Sequence, residues 1–182
     1  MKVTNARVRV KHGLEITSEL LDSKVGSIQS MFSERVFRET SCFLSNEEKK
    51  YSLFINKSTI EFEVDSWEDV FMFDTIIRNF ELKDLESFRI NITVKYLGYK
   101  DEFNNLLKSV PEGVVTEFLG FKYSLEDEVF YITIVKNTDE LEIKLGTTTS
   151  LKVSQDTVSH LSNIYSTLEN DIYGIVKEYI GG

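Results

Sequence analysis

The chain has 182 residues, a formal net charge of −9, and 41% hydrophobic and 12% aromatic side chains. Such a composition folds rather than staying disordered, and a chain of this size buries roughly 68–70% of its unfolded surface. It excludes a surface that is basic all over, a long apolar span, and an internal disulfide, because Cys42 is the single cysteine.

In chain order, a strand is expected over Thr4–Lys11, where Ala6, Val8 and Val10 alternate with Asn5, Arg7, Arg9 and Lys11. Gly13 ends it. Leu21, Val25, Ile28, Phe32 and Val36 fall at helical spacing and predict a helix from about Ser18 to Val36. A strand over Phe37–Leu44 and a polar turn lead to a hairpin of Tyr51–Ile55 and Ile60–Val64. Ser66 with Asp69 three residues later reads as a helix start, and Val70, Phe73, Ile77 and Phe80 form the inward stripe. Trp67 and Phe71 stand partly off that stripe, either as core or as an exposed docking patch for a protein partner.

The order then repeats. Ile90, Ile92 and Val94 alternate with Arg89, Asn91, Thr93 and Lys95, and a short helix is expected over Asp101–Ser109. Strands follow at Val115–Tyr123, Val129–Lys136 and Leu141–Leu145, with room for one more over Thr147–Val153. A closing helix over Gln155–Tyr179 carries Val158, Leu161, Tyr165, Leu168, Ile172, Ile175 and Tyr179 on one stripe. Asn5 and Asn91 stand 86 residues apart, close to half the chain, so residues 1–86 and 87–182 read as pseudo-repeats of one domain. The expected fold is α+β: a duplicated β-α-β-meander-α unit forming a pseudo-symmetric antiparallel sheet with its helices on one face.

These residues resemble the TATA-box-binding protein family. Asn5-Ala6-Arg7-Val8-Arg9-Val10-Lys11-His12-Gly13 is similar to its opening strand, and Phe88-Arg89-Ile90-Asn91 to the start of its second repeat. Leu53-Phe54-Ile55 is similar to its hairpin strand, and Asn163-Ile164-Tyr165 with Leu168 to its closing helix. The resemblance implies a curved saddle whose open face binds double-stranded DNA in transcription and whose helical face recruits protein partners. Members of the family kink DNA with apolar wedges. Here Ile55 takes one wedge position, Phe37 is a candidate for another, and the glycine of each hairpin turn is missing, so binding without a deep kink is implied.

On the expected open face, Arg7, Arg9, Lys11, Arg89, Lys95 and Lys144 outnumber Glu61, Glu63 and Glu142, a patch of +3 in a chain of −9. Cations gathered on one face suit a phosphate backbone, and Asn5, Asn91 and Thr93 near the centre suit groove contacts. The expected DNA-binding set is therefore Asn5, Arg7, Arg9, Lys11, Arg89, Asn91, Thr93, Lys95 and Ile55. The same mixture of charges also stabilises a solvated sheet through cross-strand pairs without any ligand. On that view the fold serves as a protein-interaction adaptor.

His12 and His160 have no metal-ligand spacing around them, and there is no phosphate loop, nucleophile elbow or paired-acid motif. No cofactor, metal or catalysis is expected. The N-terminal residues already read as strand, without an apolar signal core, so a cytoplasmic or nuclear location off the membrane is expected.

Overall fold

A computed structural model describes residues 3–81, 87–98, 118–125, 128–136, 141–152, 157–172 and 174. The alternating run at the N-terminus forms β1 (Val3–Lys11), with Ala6, Val8 and Val10 wholly buried. Thr17 then caps α1 (Ser18–Ile28): its backbone is extended and its hydroxyl accepts from the Leu20 amide at 3.2 Å. Leu21, Val25 and Ile28 are the buried stripe.

The helix stops earlier than its apolar spacing predicts. A 3-10 turn at Gln29–Met31 ends it, and the chain turns extended at Phe32. Val36 lies in β2 (Glu34–Arg38) and is exposed. A spacing of four fits a helix stripe and one face of a strand equally well, so periodicity alone does not separate the two. The single strand expected over Phe37–Leu44 is a hairpin: β2 pairs with β3 (Ser41–Asn46) across Glu39-Thr40. That turn lacks the Asn-Gly or Gly signal that usually marks a tight hairpin.

The next hairpin, β4 (Tyr51–Ile55) and β5 (Thr59–Val64), falls where expected. Asn56 builds its turn, its carboxamide oxygen accepting from the Ser58 and Thr59 amides at 2.9 Å each. Ser66 and Asp69 do pair at the next helix start, hydroxyl to carboxylate at 2.9 Å. The first turn is 3-10 (Glu68–Phe71) before α2 (Met72–Asn79), which buries Phe73, Ile76 and Ile77.

The second part supplies β6 (Ser87–Gly98), β7 (Phe118–Leu125), β8 (Glu128–Lys136), β9 (Leu141–Lys152) and α3 (Thr157–Ser166). β9 is one continuous strand where two were expected. It runs through Gly146, opposite Tyr131 of β8, a bulky residue across from a position with no side chain. α3 continues as a π-helical turn over Thr167–Ile172. Leu161, Ile164 and Leu168 are buried, while Val158, placed on the inner stripe by spacing, is exposed. The helix expected over Asp101–Ser109 and the end of the closing helix lie outside the described residues.

All nine described strands form one sheet in the order β2-β3-β4-β5-β1-β6-β9-β8-β7. Every pairing is antiparallel. The architecture is α+β, with β1 and β6 side by side in the middle. The buried residues of the strands and of α1, α2 and α3 join in one hydrophobic cluster. Phe62 stacks on Phe73 at 6.4 Å, sealing α2 to β5. Trp67 is not a docking patch: it is 4% exposed and stacks on Tyr165 at 4.5 Å, tying the start of α2 to α3. None of the described helices is long and apolar enough to cross a membrane.

Candidate functional site

The face of the sheet away from the core is set by strand parity. Residues paired across antiparallel strands share a face, so the register gives its layout. One row runs Val36, Phe43, Phe54, Glu61, Arg9, Asn91. The next runs Ser45, Ser52, Glu63, Arg7, Thr93, Gly146, Tyr131.

In the β1/β5 half both arginines are paired with carboxylates. Arg7 closes on Glu63, with Nε and Nη2 at 3.0 and 2.7 Å from Oε2, and its Nη1 lies 3.5 Å from Glu61 Oε1. Arg9 forks onto the other oxygen of Glu61 through Nε and Nη2. Asn5 donates from Nδ2 to Glu63 Oε1 at 2.6 Å. Its own Oδ1 is buried without a hydrogen-bond partner. The guanidinium side chains remain 37% and 44% exposed, so they stay within reach of solvent and ligand.

Across the centre the arrangement changes. Backbone register alone places Arg89, Asn91, Thr93 and Lys95, opposite Lys11, Arg9, Arg7 and Asn5. Lys95 in turn faces Lys144 of β9. The register therefore twice sets cation positions opposite each other, Lys11 with Arg89 and Lys95 with Lys144. Among the described side chains, Glu142 Oε1 lies 2.6 Å from Lys144 Nζ.

Ile55 does not belong to this face. Its side chain is wholly buried and points into the core with Tyr51 and Leu53. Phe54, the neighbour pointing the other way, is 39% exposed, and with Phe43 at 42% and Val36 at 54% it forms an apolar row at one end of the face. Phe37, the other wedge candidate, pairs with buried Cys42 and so lies on the core side. Sequence reasoning missed Phe43 and Phe54. In Tyr51-Ser52-Leu53-Phe54-Ile55 only Ser52 is polar, and that one residue is the signal that puts Phe54 outward. No protein-family model and no curated protein matches this chain.

The remaining reactive groups are tied down. His12 Nδ1 accepts from the Leu14 amide at 3.2 Å and Nε2 lies 3.1 Å from the Asn56 carbonyl, which fixes a neutral ring with the proton on Nε2. Desolvation lowers its pKa below 6.5. Burial pushes the Cys42 thiol up to about 11, far from a reactive thiolate. Burial, then a hydrogen bond to a carboxylate, pushes Tyr51 and Tyr165 up to about 12. Tyr51 donates to Asp69 at 2.7 Å. Among the described residues no three His, Cys, Asp or Glu side chains gather as metal ligands. A polar groove lined by Asn46, Lys50, Ser52, Glu63 and Asp65 borders the site.

Proposed function

We propose that this chain is a divergent relative of the TATA-box-binding proteins that binds double-stranded DNA with the outer face of its sheet. The observation that carries this is that the backbone register twice sets cation positions opposite each other, Lys11 with Arg89 and Lys95 with Lys144. Directly opposed like charges destabilise a sheet unless a counter-charge lies over them, and a phosphate backbone supplies one.

The register also supports the duplicated reading. A shift of 86 residues carries Arg7 onto its own partner, Thr93, and exchanges the pairs Asn5–Lys95 and Arg9–Asn91. That is how two repeats related by a two-fold axis between β1 and β6 would pair. The row of Val36, Phe43 and Phe54 offers apolar side chains at the end of the face, where a wedge against base steps would enter. A transcription-related role follows from the family resemblance alone.

Fluorescence anisotropy against an A·T-rich and a mixed duplex, at low and physiological salt, tests the assignment. Binding that weakens steeply with salt, with a slope of roughly 0.9 per phosphate contacted, is the expected result. No binding at low salt would reject it. That outcome would favour the second reading, a non-enzymatic protein-interaction adaptor, for which the engagement of Arg7 and Arg9 by Glu61 and Glu63 is the supporting observation.

A further inference from the structure

β2 forms one rim of the sheet, with β3 as its single neighbour among the described residues, and all five of its side chains are exposed. An exposed edge is a template for another strand, and natural proteins blunt such edges with charge. The charges on β2 do not blunt it toward a second copy of itself. Laid antiparallel on its own image about Val36, the sequence Glu34-Arg35-Val36-Phe37-Arg38 sets Glu34 against the partner's Arg38, and does so twice. On the opposite face the same pairing sets Arg35 beside the partner's Phe37, a cation next to an aromatic ring. Arg35 is already held on that side by a 2.6 Å bond from Nη1 to Gln29 Oε1. Phe37, 40% exposed, would gain a cover. A parallel alignment would instead put Glu34 on Glu34 and Arg38 on Arg38, so the charges select one orientation.

We propose that β2 is a homodimer interface, through which two copies join edge to edge about a two-fold axis at Val36 and make one continuous sheet. The apolar rows of Val36, Phe43 and Phe54 then merge into a single stripe across the junction. A five-residue edge is a small interface, so the dimer exchanges with monomer as concentration changes. This inference does not rest on the DNA-binding reading, although Val36 belongs both to this edge and to the apolar row of the outer face.

Sedimentation velocity of the full chain over a concentration series tests it, with a shift from monomer toward dimer expected. Glu34→Lys places a lysine opposite the partner's Arg38, and Arg38→Glu places a glutamate opposite the partner's Glu34. Each alone should weaken the dimer about tenfold or more. Mixed in equal amounts, the two variants become complementary and should re-form a dimer. Unchanged thermal melting by circular dichroism checks that each variant still folds. A wild type that stays monomeric at its highest soluble concentration would overturn the proposal. So would a dimer indifferent to either substitution, or a mixture of folded variants that stays monomeric.

Discussion

The two halves of the outer face hold their cations in opposite ways. On the β1/β5 side each arginine lies across from a carboxylate, Arg7 from Glu63 and Arg9 from Glu61, and hydrogen bonds close both pairs. On the β6/β9 side the register sets Lys95 across from Lys144, and at the centre Lys11 across from Arg89. The first half pairs each arginine with a carboxylate, while the backbone register of the second sets cation positions opposite each other, with Glu142 bonded to Lys144. Stability and ligand affinity should therefore separate: mutations on one side act mainly on the fold, and those on the other mainly on binding.

The largest effect breaks the first half outright. Ile55→Ala removes a wholly buried side chain and should cost about 2–5 kcal/mol, read as a lower urea midpoint with an unchanged slope. Phe54→Ser, one residue along but outward, should leave the midpoint within about 0.5 kcal/mol and reduce duplex affinity. Next is Lys95→Glu, which should weaken DNA binding about tenfold at low salt and flatten the salt slope by about one contact. Because it replaces a like-charge pair with an opposite one, the same change should raise stability by a few tenths of a kcal/mol. A variant that lost both affinity and stability would contradict the division between the halves.

Glu63→Gln probes the paired side. It breaks the ion pair to Arg7, which is part-exposed, so the cost should be about 1 kcal/mol, or about 2–4 °C in Tm. The freed guanidinium should strengthen DNA binding, the reverse of the Lys95 result. The smallest effect comes from His12, whose ring bridges β1 to the β4–β5 turn. Its folded pKa lies below the unfolded value of 6.5, so its contribution is complete above 6.5 and is lost as pH falls toward the folded value. Protonation removes the acceptor that the Leu14 amide uses. The urea midpoint of wild type should fall more between pH 7 and pH 5 than that of His12→Gln, a comparison that removes the shared carboxylate contribution.

Strands such as β1 and β5 were legible because polar and apolar residues alternate cleanly, and the cations of β1 followed from that alternation. β4 was not, because four of its five residues are apolar and either face could be the buried one. The resemblance puts Ile55 outside, and a run with one polar residue offers no alternation to correct it or to mark Phe54. Gly146 splits the strand pattern of β9 in the sequence, because glycine weakens a strand signal without interrupting the strand. The pairing of Lys95 with Lys144 was not legible at all. Each lysine lies on an ordinary alternating strand, and only the register between distant strands brings them opposite each other.

The stack of Trp67 on Tyr165 also governs how this protein can be observed. Trp67 is the chain's single tryptophan, and its indole rests on a ring delivered by the last described helix. Indole emission therefore reports the docking of α3 together with the packing of Phe71 on the same ring. In refolding, part of its change should come when α3 seats on Trp67. A probe of backbone structure followed in parallel would show whether the sheet has already formed by then.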